Sequence, residues 1–155
     1  MRVEQLMTKS PRTCRPGDTL SEAAQIMWDN DCGCVPVTAD DGSERLAGVI
    51  TDRDICMAAR FEEKTLTELR VGDAMAKAVR ACNAGDSIAH AETIMAETRV
   101  RRLPVVDDSG QLVGLVSLAD LAREAARQHG SRDPDITQAE IGAVLAIICE
   151  PPRDR

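Results

Sequence analysis

The chain states one pattern twice, and that duplication limits its fold more than any other property. Val3-Glu4-Gln5-Leu6-Met7 answers to Val71-Gly72-Asp73-Ala74-Met75, with residue 3 matching residue 71 at an offset of 68. The same offset pairs Cys14 with Cys82, Gly17-Asp18 with Gly85-Asp86, Ile26-Met27 with Ile94-Met95, and Pro36-Val37 with Pro104-Val105. Further on, Gly48 matches Gly114 at an offset of 66, so the first copy holds two extra residues around Asp40 to Arg45. A polar, glycine-containing turn tolerates such a change of length. A repeat of this size is one structural unit used twice, and it takes precedence over any local reading.

Each copy ends in the same phrase. Gly48-Val49-Ile50-Thr51-Asp52-Arg53-Asp54 and Gly114-Leu115-Val116-Ser117-Leu118-Ala119-Asp120 both run glycine, branched aliphatics, a hydroxyl residue, and a carboxylate three places later. The phrase predicts a short strand turning into a helix, with Thr51 or Ser117 as N-cap. Asp54 and Asp120 then fall in the first turn, facing the positive end of the helix dipole. A single Thr-x-x-Asp is a capping box with Asp in place of Glu. The same corner suits a ligand, since free amides and hydroxyls hold an anion and a carboxylate holds a sugar diol.

Each copy reads as strand, helix, strand, strand, helix. In the first, Arg12 to Arg15 is extended, Leu20 to about Asp29 is a helix capped by Thr19 and Glu22, and Cys34 to Val37 and Leu46 to Thr51 are strands. Asp52 to about Ala59 closes it, with Leu20, Ala23, Ala24 and Met27 as the buried stripe of the earlier helix. The second copy has a helix over Ser87 to Thr98, strands over Leu103 to Val106 and Leu112 to Ser117, and a helix from Leu118 to about Gln128. Residues 1–60 and 71–130 are thus the two motifs, 61–70 a polar linker, and 131–155 a final helix and tail. That helix starts at Thr137-Gln138-Ala139-Glu140, carries Ile141, Val144, Leu145 and Ile148 on one face, and ends at Pro151-Pro152. It is either packed on the pair or a dimer or partner contact. The expected class is α+β, two βαββα units packed sheet to sheet as a pseudo-twofold pair. One unit of ~60 residues buries too little surface to be secure alone.

Composition excludes several functions. The 155 residues carry a net charge of −7, which opposes general nucleic-acid binding through phosphates. Trp28 and Phe61 are the only aromatic residues, too few for a base-stacking platform. No stretch approaches ~20 apolar residues and no signal peptide is evident, so a cytoplasmic protein that does not enter a membrane is expected. Six cysteines in such a chain read as thiols rather than a disulfide framework. Cys32-Gly33-Cys34 invites a metal or redox reading, but His90 and His129 lie on other elements and four zinc ligands are not in view. There is no nucleophile with a base, no phosphate-cradling glycine loop and no metal cluster, so no enzyme is expected.

Leu6-Met7 and Ala74-Met75, the two Gly-Asp pairs, Val35-Pro36-Val37, Leu103-Pro104-Val105-Val106-Asp107 and the two Gly…Thr/Ser-x-x-Asp phrases together resemble a tandem pair of CBS motifs, named after cystathionine β-synthase, over residues 1–130. The resemblance implies two clefts between the motifs that take adenosine-containing ligands (AMP, ADP, ATP or S-adenosylmethionine). It implies a regulatory role, a homodimer, and a regulated partner protein, with no cofactor required. Carried over residue by residue, Asp54 and Asp120 bond ribose hydroxyls, and Thr51 and Ser117 bond sugar or phosphate oxygens. The base rests near Cys14 and Val35, or Cys82 and Leu103. Arg101 or Arg102 reaches phosphate in the Asp54 cleft, with Arg53 a second cation there. The first copy has Gly33 and Cys34 in place of those arginines, so the Asp54 cleft is expected to bind phosphorylated nucleotide better than the Asp120 cleft. Other readings are a homodimeric scaffold with vestigial clefts, or a thiol or metal sensor through Cys32 and Cys34.

Overall fold

The computed structural model describes residues 1–151; Pro152 and the tail beyond it lie outside the described residues. Its strands are β1 (Thr8–Lys9), β2 (Cys34–Thr38), β3 (Leu46–Thr51), β4 (Cys82–Asn83), β5 (Arg102–Val106) and β6 (Leu112–Ser117). Its helices are α1 (Leu20–Asp29), α2 (Asp52–Glu62), the short α3 (Val71–Ala74), α4 (Ile88–Thr98), α5 (Leu118–Arg127) and α6 (Gln138–Cys149).

The chain forms two compact units, and they cut it differently from the sequence repeats. One, the Asp54 unit, holds Ser10–Val79 with Asp108–Leu112; the other, the Asp120 unit, holds Met1–Lys9, Arg80–Asp107 and the chain from Val113 onward. Each repeat's leading segment is therefore built into the unit formed by the other repeat. The hydrogen bonds give the reason. β1 pairs antiparallel with β6, Thr8 opposite Leu115 and Lys9 opposite Gly114. In the Asp54 unit the amides and carbonyls of Val49 and Ala76 exchange two bonds of 3.0 and 2.9 Å. The motif glycines exist for this crossing. A Cβ on Gly48 would lie 2.6 Å from the Ala76 carbonyl oxygen, and one on Gly114 would meet Met7 Sδ and, at 3.1 Å, the Thr8 oxygen.

Both units show the same local order. β2 and β3 form an antiparallel hairpin with Cys34 opposite Thr51, and Cys14 joins it as a single parallel bridge to Val37. In the Asp120 unit the sheet runs β1-β6-β5-β4, with Cys82 paired in parallel to Val105. The extended piece over Arg12 to Arg15 is thus reduced to one bridge at Cys14. The Gly-Asp pairs set the bend after it: Asp18 accepts from the Arg15 amide at 2.7 Å, and Asp86 from the Asn83 amide at 2.8 Å.

Each unit has its own core. Leu20, Ala23 and Met27 of α1 are buried with Val35, Val37, Ile50 and Ile55. Full burial of Leu20 or Met27 contributes roughly 1.5–3 kcal/mol each. Ile88, Ala91, Ile94 and Met95 of α4 are buried with Leu103, Val105, Val116, Leu121 and Val144 of α6. The last helix therefore belongs to the Asp120 unit, with Ile141 and Ile148 packed against that core. Leu145, expected on the same face, is exposed. Of residues 61–70, read as a polar linker, the first two extend α2 and the rest are tied down. Leu69 is buried and its carbonyl accepts from the Leu20 amide at 3.0 Å, while Leu66 accepts from Ser21 at 3.1 Å. Two leucines in an otherwise polar stretch supply the anchor. α2 continues to Glu62 because nothing breaks it before Glu63, which takes a left-handed φ of 54°.

Candidate functional site

The two strand-to-helix corners have the same construction. Asp54 Oδ2 accepts from the Thr51 amide at 2.9 Å and from Thr51 Oγ1 at 2.7 Å, while Thr51 Oγ1 accepts from the Asp54 amide at 3.2 Å. Asp120 Oδ2 accepts from the Ser117 amide at 2.8 Å and Ser117 Oγ at 2.6 Å, with the return bond at 3.2 Å. Both are complete capping boxes. One carboxylate oxygen in each corner is consumed by holding the helix start.

The second oxygen separates the corners. Asp120 Oδ1 is held by Arg123 one turn along α5. At the matching place α2 has Met57, and Asp54 Oδ1 has no partner among the described residues. Asp54 is half-buried and lines a pocket of about 510 Å³ together with Met57, Phe61, Lys64, Arg70 and Asp73. Lys64 and Arg70 are cations that sequence reasoning did not place beside Asp54. Arg70 stands at the N-cap of α3, its guanidinium donating to the Gly17 carbonyl at 3.1 Å, and no local spacing predicts its approach to Asp54. The Asp120–Arg123 pair had a readable signal, since an Asp–Arg spacing of three places both on one helix face.

The other expected residues are distributed as follows. Arg53 is exposed on the first turn of α2. Arg101 and Arg102 stand at the head of β5 in the Asp120 unit, where the Arg101 carbonyl accepts from the Leu118 amide at 2.9 Å and fixes the start of α5. Cys14, Val35, Cys82 and Leu103 are all buried with core residues. The Cys14 amide donates to Pro36 and its carbonyl accepts from Thr38, so its polar backbone is already paired. Burial, helped by Asp18, pushes the Cys14 thiol up to about 12; burial and Asp86 push Cys82 to about 11. Neither is a thiolate at neutral pH.

Cys32 is half-buried and lines a second hollow in the Asp54 unit, of about 430 Å³, with Ala24, Met27, Trp28, Asp31 and Ile55. Cys34 lies buried in β2. Among the described residues no three His, Cys, Asp or Glu side chains are grouped to hold a metal ion. No helix is long and apolar enough to cross a membrane, among the described residues.

Comparison with known proteins adds six findings. The family model described as CBS domain matches residues 3–60 and again 71–127. The CBS domain-containing protein YhcV of Bacillus subtilis is 35% identical over 120 residues, covering 77% of this chain and 82% of YhcV. Inosine-5'-monophosphate dehydrogenase of Methanocaldococcus jannaschii is 31% identical over 132 residues, 85% of this chain but 25% of the enzyme. Among solved structures, Hypoxic Response Protein I with two coordinated zinc ions superposes at TM-score 0.72 and 32% identity, over 79% of this chain and 98% of that one. A CBS domain protein from Pyrobaculum aerophilum complexed with AMP matches at 0.74 and 26%, over 81% and 94%. A CBS domain pair in complex with 5'-methylthioadenosine and S-adenosyl-L-methionine matches at 0.69 and 28%, over 79% and 94%.

Proposed function

This chain belongs to the CBS-domain family as a tandem pair, and from that premise we propose that it is a regulatory module sensing an adenosine-containing ligand, AMP, ADP, ATP or S-adenosylmethionine. The observation that carries the reading is the Asp54 corner. Its carboxylate keeps one oxygen free of the capping box and lines a pocket that also holds Lys64 and Arg70. A ribose diol donating to that oxygen makes a charge-assisted bond, about twice as strong as a neutral one. The AMP-bound and S-adenosylmethionine-bound relatives support the choice of ligand class.

In this reading Asp54 and Asp120 hold ribose, Thr51 and Ser117 bond sugar or phosphate oxygens at helix starts, and the backbone near Val35 and Leu103 meets the base. Cys14 and Cys82 form the floor beneath it. Arg53, Arg101 and Arg102 are the phosphate cations, a role suited to the planar guanidinium. The Asp54 side is the stronger site, because a ligand at Asp120 must displace Arg123 first. The module works in the cytoplasm as a homodimer and passes its ligand state to a partner protein.

Calorimetry with AMP, ATP and S-adenosylmethionine on the parent, Asp54→Ala and Asp120→Ala tests the ranking. A loss of tenfold or more is expected for Asp54→Ala and a smaller one for Asp120→Ala; the reverse order overturns the assignment. A ligand at 100 times its Kd stabilises the fold by about 2.7 kcal/mol. No thermal shift with the whole panel sinks the sensing proposal and leaves a homodimeric scaffold.

A further inference from the structure

The pocket beside Asp54 is acidic. Asp54, Glu62, Glu68 and Asp73 line it against only two cationic side chains, Lys64 and Arg70, so its formal charge is −2. Both cations are partly engaged: Lys64 Nζ stands 3.8 Å from Glu62, and Arg70 donates to the Gly17 carbonyl at 3.1 Å. The Thr65 hydroxyl and amide, at 2.5 and 2.9 Å, hold the Glu68 carboxyl below its usual range, so it is charged at neutral pH. Neither Arg101 nor Arg102, the cations expected to reach phosphate beside Asp54, lines the pocket.

The repeat shows that the fold does not demand these residues. At the offset of 66, Met57, Phe61 and Glu62 of α2 match Arg123, Arg127 and Gln128; at 68, Asp73 matches Gln5. Side chains at all matched lining positions come to −1 in the Asp54 pocket and +1 in the Asp120 unit. Glu68, which has no counterpart, takes the pocket to −2. Cations in one copy have become apolar groups in the other, and amides have become acids.

We propose that the Asp54 pocket is a charge filter, taking an adenosyl ligand whose 5′ arm is a zwitterion with an onium centre, as in S-adenosylmethionine, and rejecting polyphosphates such as ATP. The filter rests on the reading of this pocket as the adenosine site and names which members of that ligand class it takes. Asp54, Met57 and Phe61 fall three and four residues apart on one face of α2, a span of about 10 Å along its axis. With the ribose diol on Asp54, that face runs along the 5′ arm. Phe61 is 76% exposed and Met57 40% exposed, so a ring face and a thioether are open to a sulfonium, which an aromatic ring attracts. The carboxylate of the arm meets Lys64 or Arg70, and its ammonium meets Glu68 or Asp73. A polyphosphate has no use for those acids, and like charge set against a competitor is how a site excludes it. AMP, with its shorter anionic arm, falls between the two.

Calorimetry of the full chain with S-adenosylmethionine, AMP and ATP, at low and at high salt, tests the filter. The parent is expected to bind S-adenosylmethionine about tenfold or more tighter than ATP at low salt, with AMP between. High salt should narrow that gap, because the lining charges are exposed and screened. Glu62→Gln/Asp73→Gln, which copies the sister residues, should tighten ATP and weaken S-adenosylmethionine by about fivefold each. Phe61→Ala should weaken S-adenosylmethionine more than AMP. ATP binding the parent as tightly as S-adenosylmethionine, or a gap that survives both the double variant and high salt, overturns the filter and leaves nucleotide sensing standing. No binding of any of the three ligands overturns the sensing reading and the filter with it.

Discussion

Replacing Glu92 by methionine should stabilise the protein, and by an amount that depends on pH. Glu92 lies on α4 at 8% exposure, with Oε1 buried and unpartnered among the described residues. Burial raises its carboxyl above the usual range, and the neighbouring Glu140 raises it further. Glu140 belongs to the capping box of α6, where it accepts from the Thr137 amide and hydroxyl at 2.7 Å. Leaving a buried acceptor without a partner costs about 1–3 kcal/mol. Methionine fills a similar volume with an adaptable, apolar chain. The expected gain at pH 8 is on the order of 1–2 kcal/mol, or about 3–6 °C in Tm for a chain of this size.

The sign with pH follows from linkage. A carboxyl raised in the native state binds its proton more tightly there than in the unfolded chain, where its value is about 4.3. The parent is therefore penalised fully at high pH and relieved as pH falls through the raised native value. The advantage of Glu92→Met should be largest at pH 7–8 and shrink towards about pH 4. Urea unfolding at both ends of that range measures it. No gain at pH 8, or a gain that grows in acid, would refute the reasoning. Glu140→Gln should yield less, because it relieves the repulsion while weakening the cap of α6.

Four other outcomes follow from the same contacts. Thr51→Val removes the N-cap of α2 and should cost about 1 kcal/mol in urea unfolding. Gly48→Ala drives a methyl against the Ala76 carbonyl and should cost about 1–3 kcal/mol, whereas Gly33→Ala meets mainly the movable end of Asp52 and should cost less in the same assay. In thiol titration at pH 8, Cys56 and Cys149, both exposed, should react quickly, while Cys14 and Cys82 wait for unfolding. Arg123→Ala should free Asp120 Oδ1 and raise the nucleotide affinity of that corner; calorimetry with AMP showing no gain would count against the ranking of the two sites.

Much of this architecture was legible in the residues because its signals are local. A hydroxyl three places before a carboxylate at the head of an apolar-periodic stretch sets a capping box, so Thr19, Thr51, Ser117 and Thr137 all start helices where expected. The apolar spacing of Leu20, Ala23, Ala24 and Met27 predicts the stripe of α1 for the same reason, and all but the half-buried Ala24 are buried. Duplication is visible to the eye, and it gave both corners at once.

Contacts between distant parts of the chain were another matter. No spacing reveals that Arg70 reaches the Asp54 pocket, that Leu66 and Leu69 anchor the stretch between the repeats, or that each leading segment joins the other repeat's sheet. Those choices are made by which backbone amides and apolar surfaces find partners after collapse, over separations where sequence period carries no information. The last helix shows the division most clearly. Its existence and cap were written in Thr137 to Glu140, but only the folded chain decided that Val144 would be buried and Leu145 left in solvent. Helix formation needs only neighbours along the chain, whereas burial of a face needs a surface that the rest of the molecule has to supply.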